Sequence, residues 1–242
     1  SIGGDKPYEI WQSGDGPGWI VEDGIGMIAI KICGITSLKD AKLAANYGAT
    51  AIGMIFYQGS PRFVDPAEVE QWIDSIPSSV KKVGVFVNEQ SETINKITRQ
   101  LRLDFIQLHG DESPEFCNEI TRPVIKVFRV GDDFDADILN DYDVRAFLFD
   151  TYQKGKPGGT GNHFNWDLIV QLKTDTPIIL SGGLKPENVL NGVEAVNPAA
   201  VDVNSGVESE SGVKDEDKIN KLFSILEHSN SCNNPFRVIR GE

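Results

Sequence analysis

Residues 27–56 read MIAIKICGITSLKDAKLAANYGATAIGMIF. An apolar run, Met27–Cys33, ends at Gly34, where the backbone is free to turn. Thr36-Ser37 offers a helix N-cap, and Leu38–Tyr47 carries Leu38, Ala41 and Ala45 at helical spacing. A second apolar run, Ala51–Phe56, follows at once. Strands that are apolar on both faces, joined by a short helix, are the mark of a buried parallel sheet.

The alternation continues to the end of the regular sequence. Strands are predicted at Lys82–Val87, Asp104–Leu108, Val124–Phe128, Ala146–Asp150, Pro177–Ser181 and Ala200–Val203. Helices are predicted from Asp65-Pro66, over Ser91–Leu101, from Ser113-Pro114, near Asp135–Leu139, and over Phe164–Leu172, Pro186–Asn191 and Asp215–His228. Asp65 as N-cap, Pro66 at the first helical position and Glu68 at the third form a recognisable start signal. Eight β–α units make an α/β protein whose pattern fits a parallel, eight-stranded (β/α)8 TIM barrel. A doubly wound open sheet is the alternative that this pattern leaves open.

Three segments follow from composition. Residues 1–26 are crowded with glycine, interrupted by Tyr8, Trp11 and Trp19, and read as an N-terminal extension or an expression remnant. Residues 27–228 form the barrel, and residues 229–242 read as a C-terminal tail. No apolar run reaches the roughly 20 residues of a membrane span, and no secretory leader pattern opens the chain. A net charge of −13 opposes a nucleic-acid partner, which needs clustered cations. Three widely spaced cysteines, Cys33, Cys117 and Cys232, predict a reducing, cytoplasmic setting without a disulfide framework. With three histidines and no ligand spacing, no metal is predicted.

Function in a barrel of this kind sits at the C-terminal ends of the strands. Ser181-Gly182-Gly183 after the seventh strand and Asn204-Ser205-Gly206 after the eighth place glycines at adjacent junctions, which predicts a phosphate site. Cys33 ends the first strand as a half-exposed thiol with Lys31 on the same face. An ammonium beside it favours thiolate, though a small apolar strand residue is the plain alternative. Asp150, ending the sixth strand, is an acid/base group, a helix cap or a structural hydrogen-bonder. Arg62 is either a carboxylate clamp or a solvated loop residue, and His109 is either a ligand or a structural histidine. Gly158–Gly161 lacks the Walker A ending, so ATP and GTP are excluded; a mobile loop beside the site is predicted, with a plain surface loop as the alternative.

Six motifs then fall together: Lys31–Thr36 (KICGIT), Gln107–Glu112 (QLHGDE), Phe149-Asp150, Gly158–Gly161, Ser181–Leu184 (SGGL) and Val201–Glu208 (VDVNSGVE). In this order, over residues 28–228, they resemble the phosphoribosylanthranilate isomerase family of tryptophan biosynthesis. The resemblance implies a barrel of the ribulose-phosphate-binding type and an intramolecular aldose–ketose isomerase that uses no cofactor. Its reaction would be the Amadori rearrangement of N-(5'-phosphoribosyl)anthranilate to 1-(2-carboxyphenylamino)-1-deoxyribulose 5-phosphate. Cys33 carries over as general base and Asp150 as general acid. Arg62 would hold the anthranilate carboxylate, with His109 and Asp202 also on the substrate. Gly182, Gly183, Ser205 and Gly206 would hold the phosphate. The phosphosugar would be the partner of a monomer or homodimer. Two other readings are a different phosphosugar barrel, such as the sister isomerase of histidine synthesis, and a non-catalytic binding protein. A carboxylate is expected at Cys33 in the former, and the pairing of Cys33 with Asp150 opposes the latter.

Overall fold

The computed structural model describes residues 26–131, 133–150, 166–227, 229–231 and 234–236. Eight parallel strands close into a barrel: β1 (Ala29–Ile32), β2 (Ala51–Ile55), β3 (Lys81–Phe86), β4 (Phe105–Leu108), β5 (Val124–Arg129), β6 (Ala146–Asp150), β7 (Ile178–Ser181) and β8 (Ala200–Val203). They follow one another in chain order, and β1 closes the ring on β8 from Ala29–Ala200 to Ile32–Val203. An open sheet would leave two edges unpaired, so the doubly wound alternative is excluded.

The helices lie between the strands in sequence: α1 (Leu38–Asn46), α2 (Pro66–Glu70), α3 (Ser91–Leu101), α4 (Pro114–Cys117), α5 (Asp167–Val170), α6 (Val189–Val196) and α7 (Glu216–Leu226). Their start signals act as read. Ser37, Asp65, Ser113 and Asp215 each accept a hydrogen bond from a first-turn N–H. Between β5 and β6 a 3-10 turn, Ala136–Asp141, stands where the weaker helix was predicted.

Several boundaries differ from the sequence reading. On α1 the buried positions are Asp40, Ala41 and Ala44, not Ala45. α6 begins at Val189, three residues later than Pro186, because Asn188 Oδ1 accepts from Lys185 N and folds residues 185–188 into a turn first. Within the helix predicted at Phe164–Leu172, α5 covers Asp167–Val170, and Phe164 lies outside the described residues. After β8 comes a 3-10 turn, Ser205–Val207, and then a hairpin of Glu208–Glu210 with Val213–Lys214 that the apolar periodicity does not reveal.

Met27 does not continue β1. Gly26–Met27 pairs antiparallel with Asn230–Ser231, which brings the segment before β1 beside the segment after α7. Within the segment read as a tail from residue 229, Asn230 and Ser231 pair in a sheet and Phe236 is buried. Ala29, Ala51, Ala146 and Ala200 open four strands with small side chains that face inward, and Phe236 is buried among them. It meets Phe105 edge-on at 5.6 Å, while Arg145 Nε donates to the Pro235 carbonyl at 2.9 Å. Four alanines leave a hole that the barrel's own strands do not fill, and an aromatic ring supplies the volume.

Candidate active site

Strand parity decides which side chains reach the mouth. Ala29, Phe105, Ala146, Ile179 and Ala200 belong to the interior cluster. Two or four residues further on, the same faces carry Lys31 and Cys33, Gln107 and His109, Asp150, Ser181, and Asp202. Residues far apart in the chain thereby converge inside one ring.

The first group surrounds Cys33. Its N–H still donates to the Val203 carbonyl at 2.9 Å, so the thiol continues the ladder and points inward. It is buried, contrary to the half-exposed position predicted, because that inward side lies beneath the mouth rather than on its rim. Lys31 lies directly below, fully buried, and donates to Asp202 Oδ1 at 2.8 Å. Gly53 on β2 makes room for both. A Cβ there would stand 2.8 Å from Cys33 Sγ and 3.0 Å from Lys31 Nζ. Burial alone would lower the Lys31 ammonium, but the Asp202 carboxylate and the Cys33 sulfur hold it above its ordinary value. The Cys33 thiol is pushed up by burial, pulled back in part by Lys31, and pushed up again by Asp202; its net direction is upward. Asp202, expected to touch the substrate, is buried and pairs with Lys31. On an inward face, a carboxylate next to an ammonium is neutralised by it before any ligand arrives.

The second group surrounds Asp150. His109 Nε2 lies 3.7 Å from Asp150 Oδ2, and the two come from β4 and β6, which are not neighbours. Their contact therefore reaches across the mouth above β5. Gln107 Nε2 sits 3.5 Å from His109 Nδ1. The loop that carries His109 is pinned by Glu112, a residue the sequence reading quoted but gave no role. Glu112, itself buried, accepts from the N–H groups of Asn88 and Gly110 and from the buried Lys126 Nζ at 2.9 Å. Its only sequence signal was an acidic residue closing the QLHGDE run.

The third group is Arg62 with the hairpin after β8. Arg62 pairs with Glu208, and Lys214 Nζ donates to the same carboxylate at 2.8 Å. Burial pushes Glu208 up, but hydrogen bonds from Arg62 and Lys214 outweigh it and hold the carboxyl below its ordinary value.

The predicted phosphate loops abut. Gly182 and Gly183 adopt left-handed φ of +89° and +64°. A Cβ on Gly206 would overlap the Leu184 carbonyl oxygen, so the loops after β7 and β8 approach backbone to backbone. Gly183 is exposed and its carbonyl accepts from Asn188 Nδ2 at 3.1 Å; Ser205 is exposed. The predicted adjacent helix entrances are a turn before α6 and a 3-10 turn after β8. Gly158–Gly161 lies outside the described residues. Among the described residues no group of three His, Cys, Asp or Glu side chains is arranged to hold a metal ion, and no helix is long and apolar enough to cross a membrane.

Residues 30–225 match the family model described as N-(5'-phosphoribosyl)anthranilate (PRA) isomerase. The N-(5'-phosphoribosyl)anthranilate isomerase of Geobacter metallireducens is 48% identical over 197 residues, covering 81% of this chain and 98% of the relative. Among solved structures, monomers generated from the dimeric enzyme of Thermotoga maritima superpose with a TM-score of 0.72 at 35% identity, over 83% of this chain and 99% of that one. A phosphoribosyl anthranilate isomerase in complex with reduced 1-(o-carboxyphenylamino)-1-deoxyribulose 5-phosphate superposes with a TM-score of 0.70 at 34% identity, over 83% and 99%.

Proposed function

The chain belongs to the N-(5'-phosphoribosyl)anthranilate isomerase family, and from that premise we propose how its residues divide the reaction. The activity is the isomerisation of N-(5'-phosphoribosyl)anthranilate to 1-(2-carboxyphenylamino)-1-deoxyribulose 5-phosphate in tryptophan biosynthesis. It is an intramolecular aldose–ketose isomerisation, so one group must give a proton to oxygen and another must take one from carbon.

Asp150 is the general acid. It protonates the ribose ring oxygen, the C1–O bond breaks, and the nitrogen lone pair forms an iminium ion. Cys33, as thiolate, takes the C2 proton that the iminium acidifies. The resulting enolamine tautomerises to the ketone. No step calls for a metal or cofactor. The single observation that carries this division is the separation of two electrostatic settings at one mouth. Cys33 lies over the Lys31–Asp202 pair, and Asp150 lies against His109. His109 contacts the substrate beside Asp150, 3.7 Å from its carboxylate.

Arg62 receives the anthranilate carboxylate. Gly182, Gly183, Ser205 and Gly206 receive the phosphate, supported by the close approach of their two loops. Asp202 acts through Lys31. A thiolate base must stay reduced, which supports a cytoplasmic setting, and Cys33 and Cys117 are both free thiols. The dimeric relative from Thermotoga maritima supports a homodimer as one of the two assemblies open to this chain.

The test follows substrate consumption by loss of anthranilate-type fluorescence. Cys33→Ala and Asp150→Ala are each expected to lower kcat by at least about 10²-fold, the usual weight of one acid/base group. Unchanged rates in both variants would overturn the assignment.

A further inference from the structure

An arginine fork has two edges that can each hold a carboxylate through two hydrogen bonds: Nε with one terminal nitrogen, or the two terminal nitrogens together. Glu208 takes the side edge of Arg62. Nε donates to Oε1 at 2.8 Å and to Oε2 at 3.1 Å, and Nη2 donates to Oε2 at 2.6 Å. Among the described residues, Nη1 has no hydrogen-bond partner. The end edge therefore still points a donor away from Glu208.

Glu208 is itself held. Lys214 Nζ donates to its Oε1 at 2.8 Å, to Asn204 Oδ1 at 3.1 Å and to the Asn204 carbonyl at 3.3 Å. The side chains of Glu208 and Lys214 are 4% and 0% exposed, while Arg62 retains 19%. One buried carboxylate, itself held by a buried ammonium, thus grips one side of a guanidinium that stays partly exposed. Charge follows the same plan. Arg62 and Glu208 alone would cancel, but Lys214 leaves the cluster with one net positive charge for an incoming anion.

We infer that Glu208 is a positioning residue for substrate recognition: it fixes the Arg62 fork by its side edge so that the end edge meets the ring carboxylate of the substrate. It stays in place when the ligand binds. The inference rests on the reading that Arg62 receives that carboxylate. A flexible arginine would be ordered at the moment of binding, at the expense of affinity; here the ordering is done in the free protein.

The experiment measures the affinity of two probes. One is the reduced product analogue with its ring carboxylate, and the other is the same compound without it. The wild-type ratio of the two affinities isolates the carboxylate contact. Arg62→Ala is expected to abolish that ratio. Glu208→Gln is expected to lower it about tenfold, the worth of one charge-assisted hydrogen bond, with KM changing more than kcat. Combining the two substitutions is expected to add nothing beyond Arg62→Ala. If Glu208→Gln proves unstable beside the buried Lys214, the pair Glu208→Gln with Lys214→Met removes both charges and is expected to give the same fall. A Glu208→Gln or paired variant that weakens both probes equally, keeps the ratio, or binds the carboxylated probe more tightly overturns the inference. If Arg62→Ala keeps the ratio, the Arg62 reading itself fails, and the inference with it.

Discussion

Cys33 is useful to this protein only because of what lies beneath it. A thiol buried among apolar atoms alone would be inert. Here a buried ammonium stands under it and a carboxylate fixes that ammonium. The thiol still lies above its ordinary value, since burial is the largest influence on it. Thiolate is the active form, so kcat/KM is expected to rise with pH on the alkaline side of neutrality, where the free thiol begins to ionise. Lys31→Met removes the group that pulls the thiol down. The rising limb should then move to higher pH and the rate at neutral pH should fall about tenfold or more. The measurement is a pH profile of kcat/KM for both proteins, at a temperature where the variant is folded, because breaking a buried pair costs about 3 kcal/mol. A limb that does not move would show that Lys31 serves packing alone. The KICGIT run already displayed Lys31 and Cys33 on one face. It did not display Asp202, which is far away in the chain and becomes a neighbour only when β1 closes on β8.

At the scale of elements, the loops after β7 and β8 form one structure. Gly206 sits against the Leu184 carbonyl with no space for a side chain. Gly206→Ala is expected to force the two loops apart and raise KM by about tenfold or more, the loss of one charge-assisted hydrogen bond to a phosphate. Its kcat should change less, because Cys33 and Asp150 lie on other strands. Steady-state kinetics separates the two, and an unchanged KM would count against a phosphate site in these loops. The glycines were legible as a pair in the sequence because two glycine-rich runs followed two successive strands. The hairpin that brings Glu208 and Lys214 to Arg62 was not legible. It is made of short polar strands, Glu208–Glu210 and Val213–Lys214, whose pairing carries no hydrophobic alternation. Likewise Glu112 carried no assigned role in the QLHGDE run. Only the folded loop buries it and gives it three donors, among them the buried Lys126.

At the scale of the whole molecule, the barrel is closed at its floor by a residue from outside the repeating pattern. Phe236 lies beyond α7 and beyond residues 30–225 that match the family model, yet it is buried against Phe105 and four alanines. Phe236→Ala is expected to lower unfolding stability by about 3 kcal/mol, the typical result of emptying an aromatic site in a core. Turnover should stay near wild type when assayed well below the unfolding transition, since the floor and the mouth are opposite ends of the strands. Urea denaturation with parallel rate measurements checks both halves. A variant of unchanged stability would mean that the four alanines pack without the ring.

The eight β–α units, most helix starts and the strand ends where chemistry gathers were legible from consecutive residues alone. Those features are local: apolar runs, N-cap residues and glycines act over a few neighbours and are written in consecutive residues. Only the tertiary structure decided which of those ends meet. Ring closure put Lys31 beside Asp202, the breadth of the mouth put His109 beside Asp150, and a polar hairpin put Glu208 on Arg62. It also seated Phe236 in the floor of the barrel. Each of these contacts joins residues distant in the chain, and their partners are chosen by the geometry of closure and by the need to pair buried charge and fill volume.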